Sequence, residues 1–517
     1  MAKRWTLFLC ITLIAAYCAW NGALSEADGP LASKLFGFSS DSDSVAMADL
    51  ETADAGPKAA HNPAIDEEYY QLYKLLVDTI DQVERNYVKK VDRRELFEAA
   101  IEGVLRKLDP HSSYISPDEI SRFRTNVESQ FGGLGIRVSH EDDALRVISP
   151  LVGTPAYRAG LMAGDLILEI DGTSTEGLLI DDAVQLMKGP AGTSVTLKVK
   201  HSGDTEPIDV EIKREIIHVE TVLGHHRGED DDWDYILDPQ HGIAYIRLTA
   251  FSRETATKLK AVVESLTVDG TMRGLILDLR FNPGGLLTSA IEISDMFISQ
   301  GRIVSTEGRN SPERVWSAEE KGTFEGFPMV VMVNRFSASA SEIVSACLQD
   351  HDRAIVIGER TWGKGSVQNV IELEGGASIL KLTTAGYLRP NGKNIHRFPD
   401  MTDEDEWGVK PNDGFRIRLS HGELYRLIAE LRDRDIVLPH EVDDISPDDD
   451  DSTDDDVSSD DSEDESTESL AFEPIKDRQL KRATEYLVDE LTKTEEDAAE
   501  VASDEPDDNK KENDKDA

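Results

Sequence analysis

Cysteine is scarce in this chain: Cys10, Cys18 and Cys347 are the three in 517 residues. That number and spacing exclude a disulfide framework and a cysteine-based zinc site. Cys347 stands alone on an apolar helical stripe and reads as a small core side chain. Basic residues are also few, 55 Lys and Arg against 101 Asp and Glu, for a net charge of −46. A nucleic-acid phosphate backbone is therefore not an expected partner. Long apolar runs are missing as well. Residues 5–20 carry no charge, but a membrane span needs roughly 20 residues. With Lys3 and Arg4 ahead of it, this run reads as a secretory signal, with a short anchor as the alternative. Tyr17 before Cys18 does not suit a lipoprotein. Export is the expectation.

The acidity is uneven. Residues 441–517 hold 32 acidic and 8 basic residues, over half of the total net charge. Residues 443–468 are nearly all Asp, Ser, Thr and Glu, a composition that cannot bury a core. They lack the glycine and spacing of an EF-hand loop. His225-His226 beside the acidic run 229–232 lack metal-ligand spacing, and residues 218–239 read as a solvated loop.

Residues 24–62 have no periodicity and read as a linker. Residues 65–86 place Tyr69, Leu72, Leu76, Ile80 and Val83 on one helical stripe, predicting a helix with that stripe buried. A second helix, 94–108, runs into the turn Asp109-Pro110-His111-Ser112-Ser113-Tyr114, in which His111 is taken as structural. From 242 to 358 strands alternate with helices, the mark of an α/β core. Within it, residues 274–279 form a near-continuously apolar strand. Asn282-Pro283-Gly284-Gly285 follows and opens a helix. The backbone N–H groups of Gly284 and Gly285 are expected to be free there, a setting for an oxyanion hole.

The centre of the chain is the stretch 333–368. The apolar run 329–333 suits a buried strand, and 342–350 has helical spacing. The segment Ser337-Ala338-Ser339-Ala340-Ser341 thus lies on a strand-to-helix turn, which exposes a side chain beside free N–H groups. A hydroxyl there is placed to be a nucleophile if a base is near. Lys364, between Gly363 and Gly365, is the candidate base, since glycines admit close backbone approach. Burial would disfavour its charged form and leave a neutral amine, the Ser-Lys variant of nucleophilic catalysis. Gln368 could aim the amine. Composition leaves the three serines undistinguished, and a small-residue packing seam with a solvated Gly-Lys-Gly turn is the bland alternative.

These two segments together resemble the carboxyl-terminal processing peptidases, or tail-specific proteases. The resemblance rests on Ser-Ala-Ser-Ala-Ser-Glu, on Thr361-Trp362-Gly363-Lys364-Gly365 with its lysine 25 residues after Ser339, and on Gln368 four residues later. It implies Ser339 as nucleophile, Lys364 as base, Gln368 as its orienter, and Gly285 and Ala340 N–H as the oxyanion hole. It implies a crotonase-like (ClpP-like) α/β protease core, an N-terminal helical region and an inserted PDZ domain. Gly133-Leu134-Gly135-Ile136 matches the PDZ loop that receives a peptide's terminal carboxylate: successive N–H groups form an anion nest, and the adjoining strand edge pairs with the peptide. Leu480, Ala483, Tyr486, Leu487 and Leu491 mark one amphipathic helix, similar to the one that closes family members. Asn412 and the acidic insert 400–406 depart from the family pattern and bear on substrate preference.

The expected organisation is a leader or anchor at 1–25, a linker at 26–62, the helical region at 63–129, the PDZ domain at 130–215 and the protease core at 216–440. An acidic insert at 441–470, a closing helix at 471–493 and a charged tail at 494–517 follow. The expected activity is serine endopeptidase cleavage of polypeptides near free C-termini, with no metal or cofactor, and with self-association implied by resemblance. Two alternatives are a non-catalytic PDZ scaffold and a Ser-His-Asp hydrolase using His351 or His396 with Asp350.

Overall fold

The computed structural model describes residues 63–120, 123, 130–141, 144–228, 231–436 and 477–503. The leader, the linker, the acidic insert at 441–470 and the tail beyond 503 lie outside them.

Helices α1 (Pro63–Asn86) and α2 (Arg93–Arg106) come first, followed by the short strand β1 (Ser113–Ile115). Asp92 caps α2, its side chain accepting from Arg94 and Glu95 N–H, which supplies two of the donors a helix start leaves open. The predicted stripe on α1 is present but not buried: Tyr69, Leu72 and Leu76 are exposed, and of the five only Ile80 is fully covered. Periodicity specifies an apolar face, but only tertiary packing supplies something to cover it.

A small domain follows, from β2 (Gln130–Gly133), β3 (Ile136–Glu141), β4 (Ala144–Pro150), α3 (Pro155–Arg158), β5 (Leu166–Ile170), α4 (Ile180–Met187), β6 (Ser194–Lys200) and β7 (Ile208–Lys213) to β8 (Glu215–His218). Its antiparallel sheet runs β3-β4-β5-β6-β7, so β3 is an edge. Leu145, Val147, Ile167, Leu197 and Val199 alternate inward and meet Ala183 and Met187 of α4, as a half-buried sheet requires.

The core begins with β9 (Val222–Leu223) and β10 (Ile236–Asp238), then β11 (Ile243–Leu248), α5 (Thr255–Val268), β12 (Gly274–Asp278), α6 (Leu287–Asp295), β13 (Arg302–Gly308) and β14 (Ser311–Ser317). It continues through β15 (Met329–Val333), α7 (Ala340–Asp350), β16 (Ile355–Gly358), β17 (Ser366–Leu373), β18 (Ser378–Leu388), α8 (His421–Arg434) and α9 (Arg478–Ser503). Residues 218–239 are not simply a solvated loop. Val222 and Leu223 are buried, and β9 and β10 both pair antiparallel with β11.

Strands β11, β12, β15 and β16 are parallel neighbours. Every residue of β11, β12 and β15 is buried, because helices cover both faces. Helices α5, α6 and α7 pack on one face through Leu259, Ile293, Ile343 and Val344. Ala483, Leu487 and Leu491 of α9 pack on the other, against Tyr245, Ile276, Val330 and Ile357. Each such side chain contributes about 1.5–3 kcal/mol on burial. Arg280, fully buried just past β12, pairs with Asp278 and reaches Asp477 and Gln479 at the start of α9. Tyr245 Oη donates to the same Asp278. This ionic cluster fixes the end of β12, from which the loop at 281–285 departs. A second sheet runs β1-β18-β13-β14, with β17 also paired to β18.

Candidate active site

The turn between β15 and α7 is over-determined by its own serines. Ser337 Oγ donates to Leu279 O at 2.8 Å and accepts Asn334 N–H at 2.9 Å. Ser341 Oγ donates to Asn282 O at 2.9 Å. Ser339 Oγ lies between them, buried and without a hydrogen-bond partner among the described residues. The three serines that composition could not separate therefore differ: two are structural, and one keeps its hydroxyl for something else. Ser339 also sits at φ 56°, ψ −113°, a region that costs a non-glycine residue on the order of 1–3 kcal/mol and persists only where neighbours enforce it.

Glu342 is the enforcing group. It is fully buried, and its two oxygens accept four hydrogen bonds. Oε2 takes Ser339 N–H and Lys364 N–H, each at 2.8 Å. Oε1 takes Thr361 Oγ1 and Gly363 N–H, each at 2.6 Å. One carboxylate thus binds the serine turn to the lysine loop. Burial pushes its carboxyl above the ordinary range, against the pull of these four donors. Composition and motif give Glu342 no role of its own. Ser339-x-x-Glu342 is nonetheless a capping-box spacing, and that signal was available.

Lys364 is 6 % exposed and Gln368 is buried. The flanking glycines are required by space: a Cβ on Gly363 would lie 2.7 Å from Arg397 Cβ, and one on Gly365 would lie 2.3 Å from His396 N. The lysine loop is thus pressed against the segment at 395–397. Gln368 Nε2 donates to Ser366 Oγ at 2.8 Å and to Thr383 Oγ1 at 3.3 Å.

The loop after β12 closes onto the same turn. Asn282, fully buried, donates from Nδ2 to Leu248 O, accepts Gly284 N–H on Oδ1, and takes Ala338 N–H on its carbonyl. The Gly284 N–H is therefore not free, contrary to the expectation from sequence: an Asx turn uses it. Gly285 N–H and Ala340 N–H have no acceptor among the described residues. A Cβ on Gly284 would sit 2.8 Å from Ser339 Cβ, and one on Gly285 would sit 2.1 Å from Phe251 O. Gly285→Ala should accordingly lower stability by about 3 kcal/mol, since the clash is with backbone. An unchanged urea midpoint would contradict this packing.

The histidine alternative finds no geometry here. Asp350 is engaged by Arg389 at 2.6 and 3.0 Å, and His351 Nε2 meets Arg302 O at 2.7 Å. His396 packs edge-on to Phe398 and lies 6.5 Å from the His111 ring.

In the small domain, Gly133 ends β2, and Ile136 opens the edge strand β3. Between them Leu134 and Gly135 give their carbonyls to Ala156 and Leu151 N–H, while their own N–H groups have no acceptor among the described residues. Gly135 has φ 78°, and a Cβ there would lie 2.3 Å from Thr154 Cβ. N–H groups without an acceptor beside a sheet-edge strand are an arrangement that can receive a carboxylate-ended strand.

Comparison with known proteins agrees with this architecture. Residues 242–412 match the model of peptidase family S41, residues 146–201 that of the PDZ domain, and residues 38–119 that of the activating protease CtpB N-terminal domain. The carboxy-terminal-processing protease of Bartonella bacilliformis is 41% identical over 355 residues, covering 67% of this chain and 78% of that protein. The carboxy-terminal processing protease CtpA of Bacillus subtilis is 36% identical over 319 residues, covering 61% and 65%. A solved photosystem II D1 C-terminal processing protease is 27% identical, with 67% of this chain and 92% of that one covered and a TM-score of 0.38. The chain belongs to the carboxy-terminal processing proteases of peptidase family S41, serine-type peptidases, and carries a PDZ domain.

Proposed function

We propose that this protein cleaves polypeptides near their C-termini with a Ser339–Lys364 dyad, after its PDZ domain has taken up the substrate's C-terminal end. The observation that carries the reading is the hydroxyl of Ser339. It alone among the three serines is unpartnered, on a strained turn that Glu342 ties to the lysine loop. Ser339 Oγ attacks the peptide carbonyl carbon as Lys364 Nζ takes its proton. The carbonyl oxygen gains negative charge and is met by Gly285 and Ala340 N–H. Lys364 returns the proton to the leaving amine, and an acyl-enzyme remains. Water, deprotonated by the same lysine, attacks the ester and frees the serine. Gln368 orients the amine throughout. No metal or cofactor enters this scheme.

Gly133, Leu134, Gly135 and Ile136 would hold the substrate carboxylate, with its last residues pairing along β3. The core is read as crotonase-like, supported by its four parallel strands interleaved with helices. The apolar residues 5–20 support export to the cell envelope, with removal or retention of the leader read by sequencing the mature N-terminus.

The test is cleavage of an unfolded polypeptide with an apolar C-terminus by wild type and Ser339→Ala side by side. Wild type alone should cut. The same substrate ending in an amide should be cut more slowly at limiting concentration, since the nest loses its anion. Equal cutting by both proteins would remove Ser339 from the mechanism.

A further inference from the structure

The loop Asp109-Pro110-His111-Ser112 follows α2 and enters β1 directly. From sequence it is a structural turn, but it lies against the strand that faces Gln368. Strand β18 is the middle of three: β17, carrying Gln368, pairs along one edge, and β1 along the other. Gln368 and Thr383 are directly opposite across the β17–β18 ladder.

A continuous set of hydrogen bonds crosses these strands. Gln368 Nε2 donates to Thr383 Oγ1 at 3.3 Å, and Thr383 Oγ1 donates to Asp109 Oδ1 at 3.3 Å. Thr383 N–H donates to Ser112 Oγ at 3.1 Å, and Ser112 Oγ donates to Asp109 Oδ2 at 2.8 Å. Asp109 Oδ1 also takes His111 N–H at 2.7 Å and Ser112 N–H at 2.8 Å.

Chemistry gives this relay a direction. Burial raises the Asp109 pKa, but the Ser112 hydroxyl, the His111 and Ser112 N–H groups and the Thr383 hydroxyl outweigh it and hold the carboxyl below its ordinary value. Asp109 is therefore ionised at neutral pH, and an ionised carboxylate only accepts. The Thr383 hydroxyl has one proton, and Asp109 takes it. What Thr383 offers to Gln368 is a lone pair, which only the amide nitrogen can use. Ser366 Oγ accepts from the same nitrogen at 2.8 Å. With its nitrogen held twice, the carboxamide has its oxygen left for a donor.

We propose that Asp109 and Thr383 are positioning residues that fix the polarity of the Gln368 amide, so that its oxygen rather than its nitrogen is presented to the Lys364 amine. The proposal rests on the Ser339–Lys364–Gln368 reading above and adds to it a dependence of the dyad on the N-terminal region. The loop that supplies Asp109 begins three residues after the end of α2.

Other titratable groups surround this end of the cleft. His111 and His396 stand on the loop side, and burial lowers the His396 pKa. Lys381 shares a face of β18 with Thr383 by strand alternation, and Glu342 holds the lysine loop from the opposite side. All are common to wild type and the variants below, so their titrations cancel in the comparison.

The experiment is the pH dependence of kcat and KM for Thr383→Val, a substitution that suits a strand and removes the hydroxyl. Turnover should fall about five- to tenfold, the effect of one hydrogen bond, with KM unchanged. The acid limb of kcat should move to lower pH, because an amide free to rotate presents N–H groups that disfavour the protonated amine. Thr383→Ser should restore both values. Thr383→Ala, which removes the hydroxyl without adding bulk, should repeat the valine result and guards against a disturbed strand.

A merely loosened site would admit water, favour the charged amine and move the limb to higher pH. That shift, wild-type kinetics in both hydroxyl-free variants, or a serine variant as impaired as valine would overturn the proposal. Lys364→Ala assayed alongside separates the two readings. Full turnover without the lysine removes the dyad and the relay together. Loss of turnover without the lysine, combined with wild-type behaviour of Thr383→Val, removes the relay alone.

Discussion

Lys364→Ala should lose cleavage by roughly four orders of magnitude or more in kcat, the scale seen when a base is taken from a serine peptidase. Peptide capture by the PDZ domain should be unaffected. The size follows from placement. Ser339 has no hydrogen-bond partner among the described residues, and Glu342 ties its turn to the lysine loop, which makes Lys364 the proposed acceptor of its proton. The competing histidines are not set up as bases: His351 holds Arg302 O, Asp350 is bound to Arg389, and His396 Nδ1 has no hydrogen-bond partner among the described residues. The same reading requires a neutral amine, so wild-type activity should fall in acid as Lys364 takes up a proton. Binding of a C-terminal peptide, followed by fluorescence anisotropy, supplies the control. Substantial turnover by Lys364→Ala with normal binding would reject the dyad.

Glu342→Gln should be nearly as damaging although Glu342 does not touch substrate. The carboxylate accepts four donors, two on each oxygen. An amide of the same shape keeps one oxygen and turns the other atom into a donor. Two N–H or O–H groups then face an N–H group inside a buried site, and each unsatisfied donor costs about 1–3 kcal/mol. Relief comes from parting the serine turn and the lysine loop. A misplacement of about 1 Å between reacting groups costs on the order of a hundredfold in rate. The expected result is therefore a hundredfold lower kcat, by that estimate, a small change in KM and a lower urea midpoint. Burial raises the Glu342 pKa, so its protonation begins above the ordinary carboxylate range and adds to the loss of activity in acid. Glu342→Gln removes that titration. A variant with wild-type turnover would show that the carboxylate is only a helix cap.

What the sequence determined by itself was local and periodic. The strands at 329–333 and 378–388 are recovered at their predicted limits; the first, buried at every residue, leaves a continuous apolar record. Helix α7 begins two residues earlier than its spacing indicated, since Ala340 and Ser341 carry no periodic signal. Motif spacing singles out Ser339, Lys364 and Gln368 through resemblance rather than composition.

Other features belonged to tertiary structure alone. The stripe on α1 is legible, but its exposure is not. The use of Gly284 N–H by Asn282 depends on an Asx turn in a loop whose path is set by the buried Arg280 cluster. Glu342 reaches Thr361 and Lys364, 19 and 22 residues away, and Asp109 meets Thr383 across 274. Sequence records the period of a face and the capacity of a side chain to donate or accept. It does not record which donor a buried acceptor meets. That is decided only when strands distant in the chain are brought side by side, and in a closed interior each polar group takes whichever partner the packing leaves within reach.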